Sequence, residues 1–433
     1  MLPVVQALRA SELLCPFVVN TGQHADLVLP ILRAAGIEPD VDLQIGREKN
    51  TINGLVRDCV GAFDELLTEL RGGPERRNRP RLFGAAEHPG STYPALTLVH
   101  GDTTSAMAAA MASIGCKLPV VHVEAGLRTR DILSPFPEEL NRQLISRMAA
   151  FHLAPTPANQ ANLIREGVDA QRVFVTGNTG IDALHWAAGL HAAWPDDRLR
   201  VLDDPDVPVV VVTAHRRENL GQPIRRIATA VQQIAQQRPD VVIVWPVHPN
   251  PQVRKDVFAV LGMTPNVILT QPIEYIPFAR LLQRATLAIS DSGGVQEEAP
   301  SVGTPVLVAR EESERPEGVE AGSLILVGSD VDRIRNIALT LLDDPAARQA
   351  MTAVVNPFGD GHAADRVRAA LEHLVFDTAA PERFGAAFSR ARVLEASGYD
   401  PREIAITSER IAQAHPEIPQ GSGATRKLAA LRR

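Results

Sequence analysis

LAISDSGGVQEEAPSVGTPVLV, residues 287–308, carries the pattern that decides the fold. The apolar run Leu287–Ser290 ends in Asp291-Ser292-Gly293-Gly294, a helix opens near Val295, and a β-branched run follows at Pro305–Ala309. Strand, tight turn, helix and strand in that order form a βαβ unit, which implies a parallel sheet covered by helices. The glycines of the turn let backbone N–H groups approach a diphosphate at the positive end of the helix, and Ser292 adds a hydroxyl donor. Glu298, one turn into the helix, can reach ribose hydroxyls. A Gly-Gly turn alone is common; joined to the acidic helix start and to ERPEGVEAG, residues 314–322, it points to a nucleotide-sugar site.

The same grammar extends in both directions. Strands are predicted at Val209–Thr213, Val241–Pro246, Val267–Thr270 and Leu324–Val327, which with the central unit make one doubly wound domain. Ahead of the linker around Trp186–Pro208, strands are predicted at Pro16–Asn20, Ala95–His100, Pro119–Val123, Phe151–Ala154 and Val173–Thr176, with helices such as Leu29–Gly36 and Thr51–Arg71 between them. The expectation is two Rossmann-like domains, 1–184 and 185–355, facing each other so that the carboxyl ends of both sheets border one cleft. Residues 71–93 carry five arginines among Gly and Pro and read either as an anion-binding loop or as a solvated insertion. The tail 376–433 shows no apolar stripe that predicts a core.

Polar residues gather at the predicted strand ends. VHGDTT, residues 99–104, places Asp102 where it is either a helix cap or a functional carboxylate. HVEAGLRTRD, residues 122–131, delivers Glu124 from an apolar strand, a costly placement unless the carboxylate is paired or used. SPFPEELNR, residues 134–142, opens a helix with Glu138, Glu139 and Arg142. In the second half, VTAHRREN, residues 212–219, sets His215 beside Arg216 and Arg217, which suits a phosphate-rich ligand or, equally, a helix cap. WPVHPNP, residues 245–251, adds His248 at a further strand end.

A net charge of −7 over 433 residues is too mild to recruit nucleic acid or an acidic membrane surface. Cys15, Cys59 and Cys116 have no paired spacing, against a disulfide framework or a zinc site, and a reducing cytoplasm fits them. The N-terminus has neither a basic leader nor a sustained apolar core, so it is not read as a secretory signal, and no apolar stretch is long enough to span a bilayer.

In order and spacing, VHGDTT, HVEAGLRTRD, SPFPEELNR, TGNTGIDAL, AHRREN, WPVHPNP, DSGGVQEEAPSVGTPV and ERPEGVEAG resemble the non-hydrolysing UDP-N-acetylglucosamine 2-epimerases, over roughly residues 1–375. The resemblance implies a GT-B fold with the active site between the domains, and NPFGDGHAADRVRAAL, residues 356–371, as the helix returning to the first domain within 356–375. It implies interconversion of UDP-N-acetylglucosamine and UDP-N-acetylmannosamine by elimination of UDP and re-addition through bound 2-acetamidoglucal, with no NAD or metal cofactor. Position by position it implies Asp102, Glu124, Glu138 and His215 as the catalytic group, the carboxylates moving protons and the histidine assisting the departing diphosphate. It further implies Arg142, Ser292, Gly293, Gly294, Glu298 and Arg315 as substrate contacts, with Phe278 where uracil is received. Gln23, His24, Arg216 and His248 match part of an activator site, and a homodimer is the family pattern. Family members begin with a strand and a G-T-R-P-E-x-x-K loop facing the diphosphate. Met1-Leu2-Pro3 aligns with the helix after it, so the first strand is expected to be missing from this chain.

Other readings are a GT-B glycosyltransferase, which has no need of Asp102, Glu124 and Glu138 together, and a hydrolysing epimerase, told apart by its products. A further one is an inactive or truncated UDP-sugar-binding homologue.

Overall fold

A computed structural model describes residues 1–23, 25–45, 51–70, 96–190, 192–312, 315–381 and 390–396. The arginine-rich segment 71–93, His24 and the tail beyond 396 lie outside the described residues. The chain divides into two compact units, Met1–Thr179 with His362–Arg433, and Gly180–Gly361. From sequence the breaks were expected after 184 and 355.

In the first unit β1 (Val19–Asn20) pairs in parallel with β2 (Val41–Asp42), and β3 (Thr97–His100), β4 (Val120–Val123), β5 (Phe151–Ala154) and β6 (Val173–Val175) form a parallel sheet in the order β3-β4-β5-β6. β4 and β5 are buried along their whole length, as interior parallel strands must be. The first strand is much shorter than the predicted Pro16–Asn20, and among the described residues no ladder joins the two sheets. Proline cannot donate to a ladder and Phe17 stays exposed, which confines pairing to the end of that run. Val19 and Leu43 nevertheless pack on the apolar cluster that holds Val99 and Met107.

The Ala-rich helix Thr104–Gly115 follows β3, and Ala108 and Ala110 are fully buried, small enough for close approach of the helix Ile52–Leu70. Its cap is Thr103, whose Oγ1 accepts the Ala106 N–H at 3.2 Å. Thr103→Ala is expected to cost about 1 kcal/mol, measured by thermal unfolding, with Thr103→Ser close to wild type; equal stability of all three would remove the cap from the account.

Helix Ala363–Phe376 joins the first unit, setting Val367, Ala370 and Leu371 against Val121 of β4 and Phe151 of β5. Helix Arg390–Ala396 adds Val393 and Leu394, at 0% and 1% exposure, to the same core. The tail was expected to contribute none. Two adjacent apolar residues make no helical period, so this anchor has no periodic signature.

The second unit is a six-stranded parallel sheet of β7 (Val209–Thr213), β8 (Val242–Pro246), β9 (Val267–Thr270), β10 (Leu287–Ser290), β11 (Val306–Val308) and β12 (Leu324–Leu326), ordered β12-β11-β10-β7-β8-β9. Helices flank it by amphipathic periodicity: in Gln222–Gln237, Ile224, Ile227, Ala228, Val231, Ile234 and Ala235 are buried at spacings of three and four. The chain runs outward one way through β8 and β9, and the other way through β11 and β12. The order therefore reverses between β7 and β10, and the carboxyl ends at such a switch point are where open α/β sheets take ligands.

Candidate active site

In the first unit, parallel register sets the arrangement. His100 of β3 pairs with Val123 of β4, so the residues that follow, Asp102 and Glu124, leave the sheet side by side. Glu124 adopts φ 64°, a left-handed conformation that costs a non-glycine residue roughly 1–2 kcal/mol. Its Oε2 lies 3.4 Å from His100 Nε2, and a Cβ on Gly101 would stand 3.2 Å from the same oxygen. Gly101, itself at φ 67°, thus gives the turn and leaves room for the carboxylate. Its carbonyl accepts a hydrogen bond from His122 Nε2 at 2.8 Å. Burial pushes the His122 imidazole down to about 4, so it is neutral near pH 7.

Arg142 ties this turn to the helix Glu138–Met148. Its Nη2 contacts Asp102 Oδ2 at 2.9 Å and its Nε lies 3.5 Å from Glu139 Oε2. Glu139 is fully buried and also accepts from the Thr129 N–H at 3.0 Å and Gln143 Nε2 at 2.8 Å. Asn141 Nδ2 donates to the Asp102 carbonyl at 2.9 Å. Burial raises Asp102 above the ordinary carboxylate value, Arg142 opposes that shift, and Glu138 adds to it. A cavity of about 440 Å³ opens here, with Asp102 and Glu138 among its lining residues beside Gln23, Thr104 and the apolar Ile52 and Leu55. Asp102 and Glu138 therefore share one cavity, and Glu124 adjoins the same turn without being one of the lining residues.

In the second unit, Thr213 pairs with Ser290 across the switch point, and their hydroxyls lie 2.7 Å apart. His215 and the Asp291–Gly294 turn leave the sheet from these neighbouring ends. The His215 and His248 rings stack with centroids 5.1 Å apart and planes 6° apart. Burial lowers the His215 pKa, Asp291 opposes this, and His248 and Arg216 add to it. Ser292 caps the helix Gly293–Glu298 without a side-chain hydrogen bond to it, so its hydroxyl is not committed to the cap.

A Cβ on Gly293 would meet the Arg315 guanidinium at 3.0 Å, which places that arginine over the turn; its Nε contacts Glu297 Oε1 at 2.7 Å. Glu298 Oε1 would lie 3.8 Å from a Cβ on Gly294. Phe278, on the helix Tyr275–Arg284, packs on the apolar cluster that includes Val295 and Ala299. Ser292, Gly293, Gly294, Glu298 and Arg315 thus form one cluster, and Phe278 lies beside its supporting helix.

Several residues here are given no functional role by the sequence alone. Glu139 and Asn141 hold Arg142 and the Asp102 turn, and only helical phase distinguishes Glu139 from Glu138. Tyr275 is half-buried near Glu298, and both burial and that carboxylate raise its hydroxyl pKa. Asp291 stood in the quoted motif without a role. It is fully buried, and its Oδ2 accepts from the His215 N–H at 2.9 Å, the Arg216 N–H at 2.8 Å and Asn219 Nδ2 at 2.9 Å.

Two parallel-sheet α/β units, one with carboxylates around a cavity and one with a glycine turn, serine, arginine and histidine at a switch point, match the parts of a GT-B enzyme of nucleotide-sugar chemistry. The sequence model of the UDP-N-acetylglucosamine 2-epimerase family matches residues 82–372, and the chain belongs to that family. The UDP-N-acetylglucosamine 2-epimerase of Yersinia pestis is 40% identical over 378 residues, covering 86% of this chain and 95% of that protein. Among solved structures, the Neisseria meningitidis UDP-GlcNAc 2-epimerase bound to UDP-GlcNAc is 34% identical with a TM-score of 0.70, covering 86% of this chain and 95% of that one. The S. aureus MnaA–UDP co-structure is 34% identical with a TM-score of 0.74, covering 89% and 96%.

Proposed function

We propose that this chain interconverts UDP-N-acetylglucosamine and UDP-N-acetylmannosamine. One carboxylate takes the C2 proton as UDP leaves C1, giving bound 2-acetamidoglucal; UDP then adds back as a proton reaches the opposite face of C2. What carries the reading is the cavity that Asp102 and Glu138 both line. Inversion needs a base and an acid at one carbon, and carboxylates in different environments can divide those roles at one pH. Glu124, held against the same turn, completes the proton-transfer set.

His215 assists the departing diphosphate, which Ser292, Gly293, Gly294 and Arg315 cradle, while Glu298 takes ribose and Phe278 the uracil. Arg142 contacts substrate and holds Asp102. The second unit is the UDP-binding domain, in keeping with a bacterial relative solved with UDP. Gln23, Arg216 and His248 belong to an activator subsite for a second UDP-N-acetylglucosamine. The enzyme acts in the cytoplasm as a homodimer. Cys15, Cys59 and Cys116 form no disulfide, and among the described residues no helix is long and apolar enough to cross a membrane.

The test is incubation with UDP-N-acetylglucosamine in deuterium oxide, followed by mass spectrometry and NMR. Deuterium at C2 of both UDP-sugar epimers is the expected result. Free N-acetylmannosamine with UDP would replace the reading by a hydrolytic one, and absence of any exchange with UDP still bound would leave only a binding protein.

A further inference from the structure

Asp291 is a fully buried carboxylate that the proposed chemistry does not use. Its Oδ2 accepts three N–H donors, two from the backbone of His215 and Arg216 and one from the buried Asn219, whose Nδ2 also donates to the Ala309 carbonyl at 2.9 Å. The carboxylate thereby anchors the loop after β7 to the end of β10. Its other oxygen, Oδ1, is buried and makes no hydrogen bond among the described residues. That oxygen lies 3.7 Å from His215 Nδ1. A loop anchor needs only Oδ2; a buried carboxylate oxygen left facing one imidazole nitrogen calls for a second explanation.

We propose that Asp291 is a positioning residue for His215, holding the imidazole with its proton on Nδ1 and its Nε2 turned away from the carboxylate toward ligand. The proposal rests on the role given to His215 above. A carboxylate can only accept, so the nitrogen beside it is favoured as N–H, and Nε2 is left to take up or release the working proton. The stacked His248 ring fixes the plane of the imidazole and the carboxylate fixes its rotation about that plane.

The groups facing His215 are Asp291 at the end of β10, His248 after β8 and Arg216 in its own loop. Of these, Asp291 favours the imidazolium, while His248 and Arg216 oppose it together with burial. Asp291 thus keeps the protonated form within reach, as assistance to a departing diphosphate requires.

Asp291→Asn separates anchoring from positioning. The amide oxygen can still accept the three N–H donors at the Oδ2 site, while the NH2 at the Oδ1 site presents a donor to Nδ1 and favours the opposite tautomer. The full chain, labelled with 15N-histidine and with His215 assigned through a His215→Gln spectrum, is read by long-range 1H–15N NMR. Wild type is expected to show neutral His215 protonated on Nδ1, and Asp291→Asn on Nε2 with a lower pKa. Turnover is expected to fall about 10²-fold, the low end for a positioned acid–base group, with UDP affinity unchanged and the basic limb of the rate profile moved to lower pH.

A wild-type His215 protonated on Nε2, or a folded variant with unchanged turnover and pH profile, would overturn the proposal. If the variant does not fold, the wild-type tautomer still decides it. Because that spectrum needs no turnover, a chain without epimerase activity would count against the proposed reaction and leave the pairing of Asp291 with His215 to its own test.

Discussion

Replacing Asp102 by asparagine is expected to lower C2 proton exchange by about 10³-fold, within the span that a positioned acid–base group contributes, while leaving the affinity for UDP unchanged. The substitution keeps the shape of the side chain, and the amide oxygen can still accept from Arg142 Nη2. The bond from Asn141 goes to the backbone carbonyl of residue 102 and is untouched. What is lost is the ability to hold a proton. Burial already raises Asp102, and the neighbouring Glu138 adds to that against the pull of Arg142. A step that needs the ionised form therefore fades, as pH falls, at a higher pH than for an ordinary carboxylate. In Asp102→Asn that acidic limb should vanish along with most of the rate. Initial rates of deuterium uptake across the acidic range, with calorimetry for UDP, would read both effects. Near-wild-type exchange would move the base to Glu124 or Glu138.

The strand-end residues of the candidate site were legible because parallel sheets write them into the chain. An apolar run that ends in a polar residue and is followed by a helix reads as a strand's carboxyl end, where ligands gather. That rule alone places Asp102, Glu124, His215 and the Asp291–Gly294 turn at strand ends. What stayed hidden depends on rotation, register or distance rather than on sequence neighbourhood. Glu138 and Glu139 are adjacent letters, yet a step of about 100° around a helix sends one into the cavity and the other under Arg142. Asp291 could be placed at a turn, but its partners come from a segment some 75 residues earlier, which no local pattern encodes. The separation of Val19–Asn20 from the main sheet is likewise a matter of ladder geometry, since its β-branched composition is that of an interior strand. Val393 and Leu394 anchor the end of the described chain as a lone apolar pair, below the length at which periodicity signals a core.

Gly126→Ala is expected to be the most destabilising single methyl in the first unit, at about 3 kcal/mol or more. Gly126 follows Glu124 and Ala125 at φ 98°, outside the range an alanine adopts at ease. A Cβ there would stand 2.3 Å from the Asn159 carbonyl oxygen and 2.8 Å from its carbon, contacts with backbone that no rotamer change relieves. Relief requires moving the helix Pro157–Arg165. Leu163 on that helix packs with Ala125 and Ala154, both fully buried, and Asn162 Nδ2 reaches the Gly126 carbonyl at 3.1 Å. The strain cannot be confined to the turn, because the next residues back carry Glu124 in its own left-handed conformation. Melting of the first unit should fall by roughly 6–12 °C for that loss, with hydrogen exchange quickening in β4 and in the helix Pro157–Arg165 and unchanged in β7 and β10. Proton exchange at C2 should drop even below the new melting temperature, since Glu124 is displaced, while UDP binding persists. An unaltered melting temperature would mean that the helix yields freely, and the close packing behind Glu124 would then have no part in holding it.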